Sequence, residues 1–557
     1  MGSDREENTN ITNIAYSDSE KQAENSAMII KGAAILALAG IVVKIFGAIF
    51  RVPLTNMIGA KGQSYYTAAY SVYNLLFVIA TAGFPVAISK MVSARIAEKD
   101  FRNAHKSYIL AMKFSAVLGF ASFLLMFFAS KTISEFYNIP GAEPSIRALS
   151  PAFLFMPMVA SMRGYYQGRQ MMFPTGFTEI IEQMVRVAVG LYLAYMFYTT
   201  SLERAAGGAT FGASAGIMAA ALVMIIIYLR DKGKRGELSA TSAIREESDR
   251  KRFKEMLTYL IPISIGAAVM PIMFNIDTFI VVRRLMATGW DRHTAEVLYG
   301  LMGGYCDPIL GLPGIFIDAI CISMMPAVTA AFTLRNKTEL DGHIKTGLKT
   351  MMIIAYPCTI GLMFLAGPIL TMLFYKKPDE AEMAVSLMQI LSLSVATMAI
   401  MRTFATCLQG IGKMMIPVYN LLIGAGVKAV LSYILLGIPA ININGAAAGS
   451  ICAYITAGIL NYRALRKYAD VDIDVKSVFV RPLFAALIMG IAAVAIHKAA
   501  MLISASNAIS TLTAVFAAII VYFITVFKTG AITKEEVELI PKGDLIYSFA
   551  VRLKIAE

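Results

Sequence analysis

The chain has 557 residues, of which 57% are hydrophobic and only 16% charged, and its formal net charge is +13. With a mean hydropathy of +0.64, that composition excludes an ordinary soluble domain and points to a helical membrane protein crossing the bilayer many times. The apolar runs are too long and uniform for barrel strands, so the expected fold is all-α, with every backbone group satisfied inside a helix.

In chain order, the first 28 residues are polar and largely acidic and read as a disordered cytosolic tail. Fourteen spanning segments are expected after it, at 29–56, 66–95, 107–130, 146–168, 174–199, 206–230, 254–283, 297–331, 344–374, 383–409, 416–437, 443–465, 477–497 and 507–528. They divide into an N-lobe (29–230), a polar cytosolic linker (231–253), a C-lobe (254–466), a final pair of spans (467–528) and a cytosolic tail (529–557). Lys and Arg concentrate in the even-numbered connections, which predicts both termini inside. In that setting the basic excess reads as topology signal and anionic-lipid contact, not as a nucleic-acid surface.

The two lobes repeat each other. Gln167-Gly168, Pro174 and Arg186 recur in order as Gln409-Gly410, Pro417 and Lys428, and AISKMVSARIAEKD pairs with CISMMPAVTAAFTLRNKTEL. Six spans separate the copies, so both have the same orientation, related by an axis along the membrane normal. Such a pair of lobes suits alternating access around a site at their interface.

Charges inside the spans are the candidate site. Lys44 and Arg51 lie seven apart, two turns on one helix face, and Lys90 follows near the inner end of the second span. They admit two readings: snorkelling or neutralisation of a buried carboxylate, or a cationic cavity for an anionic substrate. In the fifth span Glu179, Glu182 and Arg186 fall at i, i+3 and i+7, with Glu182 and Arg186 spaced for an ion pair. Asp277, Asp307 and Asp318 are the C-lobe carboxylates, candidates to counter cavity cations or to bind a coupling Na+ or H+. Gly83-Phe84-Pro85, Gly311-Leu312-Pro313-Gly314 and Gly367-Pro368 are candidate bends.

The five cysteines and four histidines form no ligand pattern, so neither a metal nor a cofactor is expected. No nucleotide-binding loop or hydrolase motif occurs, so the protein is not expected to be an enzyme. Any active transport would draw on an ion gradient or the membrane potential.

Three stretches carry a family resemblance: KIFGAIFRVPLTNMIGAKGQSYY, AGFPVAISKMVSA and MRGYYQGRQMMFPTGFTEIIEQMVRV. Over about residues 30–530 the chain resembles the stage V sporulation protein B / MurJ-like family of the multidrug/oligosaccharidyl-lipid/polysaccharide exporter superfamily. The resemblance implies a flippase in the bacterial inner membrane for a lipid-linked cell-wall precursor, lipid II, in contact with membrane lipids and with the wall-synthesis machinery. It also implies two six-helix lobes in a V, a cationic central cavity, and two extra helices, here 477–497 and 507–528, forming a lipid-facing groove. Lys44 matches a basic position of the family's first helix, Arg51 falls within about one residue of a second, and Lys90 lies near a cavity-lining position. The chain departs from the pattern in its eighth span, which carries Asp307 and Asp318 where a cavity arginine is expected. A cation-coupled multidrug antiporter using the three aspartates, a flippase for another polyprenyl-linked polysaccharide, and a non-transporting cell-wall scaffold are the rival readings.

Overall fold

The computed structural model describes residues 3–231 and 247–532, with 547–548 and 551–552. In the first helix, side chains are described for Gly32, 34–36 and from Leu38 onward. The expectations for residues 1–28, for most of the 231–253 linker and for most of the 529–557 tail therefore lie outside the described residues.

All the regular elements described are helices. The N-lobe runs α1 (Ser3–Phe77), a π-helical turn (Val78–Ala82), α2 (Gly83–Ala97), α3 (Phe101–Phe128), the short α4 (Ser130–Phe136) and α5 (Glu143–Leu149), then α6 (Ala152–Gly168), α7 (Phe173–Tyr198) and α8 (Leu202–Arg230). The C-lobe runs α9 (Asp249–Ala287), α10 (Arg292–Gly300), a π turn (Leu301–Cys306), α11 (Asp307–Leu310), α12 (Pro313–Thr333), α13 (Lys337–Phe364), the short α14 (Ala366–Leu373) and α15 (Pro378–Met383), then α16 (Val385–Gly410), α17 (Met415–Leu436) and α18 (Asn444–Ala469). Last come α19 (Arg481–Ser504) and α20 (Asn507–Lys528), which pack on each other, with α19 also against α13.

Eleven helices among the described residues are long and apolar enough to cross a membrane, or up to twelve if the bent pair Pro140–Leu149 and Ala152–Gly168 counts as one. The first of these, Ala34–Ala97, hides a reversal. Phe50 and Tyr66 have ring centroids 6.1 Å apart, whereas a straight helix would separate residues sixteen apart by about 24 Å. Gln63 likewise reaches Thr55 at 2.8 Å. The chain folds back at Gly59, where φ is 64°, a left-handed conformation that glycine adopts without strain. The first two expected spans are thus the antiparallel arms of one hairpin. The twelfth expected span forms α18 but is not among the eleven.

Two boundaries need correction. α9 starts at Asp249, inside the expected linker, because Ser248 caps it by accepting from the Lys251 amide. The eighth span is not one helix: the π turn at Leu301–Cys306 and the break before Pro313 divide it, leaving Asp307 and Asp318 on separate helices, α11 and α12.

The internal repeat is visible in the backbone. Lys99 and Arg335 are both left-handed, at φ 59° and 54°, and the next residue in each case, Asp100 or Asn336, caps the following helix through its side chain. Gln170 and Gly412, just past the paired Gln-Gly motifs, are left-handed too, at φ 59° and 81°. α7 packs along α8 as α17 packs along α18.

The lobes meet along the hairpin. At its tip, the Ala60 amide donates to Glu380 at 2.7 Å, Tyr305 donates to the same carboxylate, and Asn56 donates to the Leu373 carbonyl at 2.8 Å. At the opposite end, Arg95 of α2 is held by Glu247 at 2.6 Å and Glu255 at 2.7 Å. Lys251 and Arg95 together keep the Glu247 carboxyl below the usual carboxylate range.

Gly300 packs directly on the hairpin tip, where a β-carbon would be driven into the Ala60 carbonyl. Gly300→Ala is expected to lower the thermal midpoint of the purified protein, costing about 1–3 kcal/mol as overpacking. Gly314→Ala, where a β-carbon meets nothing within 4 Å, is the matched control and should not lower the midpoint, since alanine is the better helix former there.

Candidate substrate cavity

A cavity of about 330 Å³ lies between the lobes, lined by Lys44, Arg51 and Tyr66 of α1, Gln183 and Arg186 of α7, and Pro308 of the C-lobe. The hairpin delivers its cations there. With the turn fixed at Gly59, Arg51 and Lys44 sit two and four turns down the first arm, both facing the C-lobe.

Each cation is held differently. Arg51 donates to the Gly303 carbonyl at 3.2 Å and lies over the Tyr66 ring, 4.7 Å from its centroid. Thr55, one turn on, donates to the Gly304 carbonyl at 3.2 Å, so the glycine pair in the π turn is what lets the C-lobe backbone approach. Arg186 donates to the Tyr70 hydroxyl at 2.5 Å and stacks over the same ring. Tyr66 and Tyr70 stack in turn at 4.4 Å, so an aromatic pair separates the two guanidinium groups. Lys44 reaches across the cleft to Asp318 at 3.5 Å, and the other oxygen of that carboxylate pairs with Arg402 of α16.

The sequence candidates therefore separate. Lys44, Arg51 and Arg186 come together, with Asp318 beside them. Lys90 does not join them: its ammonium lies over the Tyr259 ring of α9, 4.2 Å from the centroid. Glu179 and Glu182 line a different cavity, about 190 Å³ inside the N-lobe. The expected Glu182–Arg186 pair is not formed among the described residues. Glu182 instead pairs with Arg163 of α6 at 2.9 Å, while Arg186 is held by the Tyr70 hydroxyl of the hairpin.

Asp277 is no free carboxylate either. It forms a buried ion pair with Lys428 at 2.5 Å, the two side chains 7% and 4% exposed, and the lysine also donates to the Met273 carbonyl at 3.1 Å. The Asp307 side chain makes no ion pair or hydrogen bond among the described residues and stands next to cavity-lining Pro308.

Two cations escaped the sequence reading. Arg402 sits in the apolar run MAIMRTFATC, the same signal that singled out Lys44. Arg163 lies near the end of the expected fourth span, 146–168, where the structure pairs it with Glu182.

Two family models cover most of the chain: one described as polysaccharide biosynthesis protein matches residues 29–305, and MatE matches residues 303–434. The chain belongs to the multidrug/oligosaccharidyl-lipid/polysaccharide exporter superfamily. The lipid II flippase MurJ of Bacillus subtilis (strain 168) is 26% identical over 458 residues, 80% of this chain and 84% of the relative. Stage V sporulation protein B of the same organism is 22% identical over 92% of this chain and 97% of its own length. Among solved structures, a lipid II flippase MurJ in an inward closed conformation superposes with a TM-score of 0.64 at 16% identity, covering 88% of this chain and 98% of that one. The exporter described here is a multi-pass membrane protein, a flippase or transporter of that superfamily.

Proposed function

We propose that this exporter is a flippase that moves a lipid-linked anionic glycan, lipid II or a closely related polyprenyl pyrophosphate, across the bacterial cytoplasmic membrane by alternating access, with both termini in the cytosol. The observation that carries the reading is the convergence of Lys44, Arg51 and Arg186, from two helices of one lobe, on a cavity between the lobes. Cations at membrane depth are costly unless they face water or a partner, and a pyrophosphate is the partner such a cavity fits. Lysine serves as a point charge and arginine as a two-pronged donor to phosphate oxygens. Membrane potential, worth about 2.3 kcal/mol per charge per 100 mV, or a Na+ or H+ gradient would drive the cycle, with Asp307 as the carboxylate left for a coupling ion.

Export of cationic drugs on Asp277, Asp307 and Asp318 is less well supported by the geometry, since two of the three carboxylates already hold cations of the protein itself.

The test is reconstitution in vesicles with fluorescent lipid II, scoring exposure on the far leaflet with and without an imposed potential. Exposure well above protein-free vesicles is expected. Exposure equal to those vesicles, with correctly folded protein, would reject lipid II as the substrate.

A further inference from the structure

The carboxylate in the cleft has an unusual position. Asp318 is the counter-ion shared by Lys44 of the N-lobe and Arg402 of the C-lobe, and it stands one helical turn beyond Ile315, which lines the cationic cavity. All three side chains are partly open, Lys44 at 42%, Asp318 at 40% and Arg402 at 35% exposure. The 3.5 Å contact to Lys44 is long beside the roughly 2.7–2.9 Å of a tight charge-assisted bond. Ion pairs this open are weakly held and readily exchanged.

A carboxylate that bridges a lysine and an arginine makes the contacts a phosphate would make. It supplies one negative charge and two oxygens, where a pyrophosphate supplies more of both. Building on the reading of this cavity as a lipid pyrophosphate site, we propose that Asp318 is an internal counter-anion that holds the phosphate position between Lys44 and Arg402 until the substrate displaces it. The bridge also has a mechanical consequence. Lys44 belongs to one lobe and Asp318 with Arg402 to the other, so displacing Asp318 exchanges a protein-made link between the lobes for a substrate-made one. Binding and lobe movement are thereby tied to one event, and the site is never left as a bare cluster of cations.

The experiment compares wild type with Asp318→Asn, using the purified full-length chain at fixed ionic strength. The probes are farnesyl pyrophosphate, inorganic pyrophosphate as the lipid-free arm and farnesol as the uncharged arm. Asp318→Asn is expected to bind both pyrophosphates about fivefold more tightly, the order expected for releasing Lys44 and Arg402 from exposed pairs, and farnesol unchanged. If wild type binds farnesyl pyrophosphate and Asp318→Asn binds it no more tightly, the counter-anion role is overturned while the substrate reading stands. Equal tightening for farnesol would overturn it too, since the effect would then not be one of charge. If neither protein binds either pyrophosphate, both readings fall. Should Asp318→Asn not fold, Arg402→Gln serves: about fivefold weaker binding of farnesyl pyrophosphate is expected, and unchanged binding overturns the proposal.

Discussion

Lys428→Ala is expected to be the most destabilising single substitution in the C-lobe, costing about 3–5 kcal/mol, read as a large drop in thermal or denaturant midpoint in detergent. Lys428 and Asp277 are nearly sealed from solvent and lie 2.5 Å apart. Removing the ammonium leaves a buried carboxylate with no compensating charge. One oxygen of Asp277 already has no hydrogen-bond partner, so the pair meets its desolvation cost only incompletely even when intact. The double variant Asp277→Leu/Lys428→Met should therefore regain most of the lost stability, because apolar replacement of a whole buried pair is often neutral or better. The two singles and the double form a cycle that isolates the coupling. A Lys428→Ala protein as stable as wild type would show that Asp277 is wet or protonated, and not held by the lysine.

That pair also marks the limit of what the sequence reveals. Lys428 appeared as the repeat counterpart of Arg186, and Asp277 as a lone carboxylate, but their contact spans 151 residues and no local pattern encodes it. In a soluble helix, apolar periodicity shows which face is buried. A membrane helix is apolar on every side, so α7 gave no sign that Glu182 faces Arg163 while Arg186 faces Tyr70. What was legible came from spacing and from breaks. The interval of seven put Lys44 and Arg51 on one face, and both line the cavity. The polar, glycine-bearing stretch between the first two apolar runs marked the turn at Gly59. The glycines and proline at 311–314 marked a real interruption, whereas the π turn at Leu301–Cys306 has no comparable signature and went unread. Arg402 was legible by the same rule as Lys44, an isolated cation in an apolar run.

Combining Arg51→Ala with Arg186→Ala is expected to abolish transport while leaving the protein folded and in the membrane. A hydrogen bond to a charged group contributes about 1.5–3 kcal/mol, so each single replacement should slow lipid exposure about 10- to 100-fold. The two arginines should not respond alike. Arg51 also ties the lobes through the Gly303 carbonyl at 3.2 Å, so its loss affects both substrate contact and the closed seam. Arg186 is anchored within its own lobe by Tyr70, so its loss should act on substrate affinity alone. Arg51→Lys separates charge from geometry: it keeps the cation but loses the fork that reaches a backbone carbonyl and a phosphate oxygen together, and should fall between wild type and Arg51→Ala. The measurement is the initial rate of fluorescent lipid II exposure in vesicles, normalised to folded protein and repeated at rising salt. A partly hydrated cationic site must weaken as salt screens it. A double variant with wild-type rate and wild-type salt response would remove the substrate from this cavity altogether, and the convergence of Lys44, Arg51 and Arg186 would then be a feature of lobe packing alone.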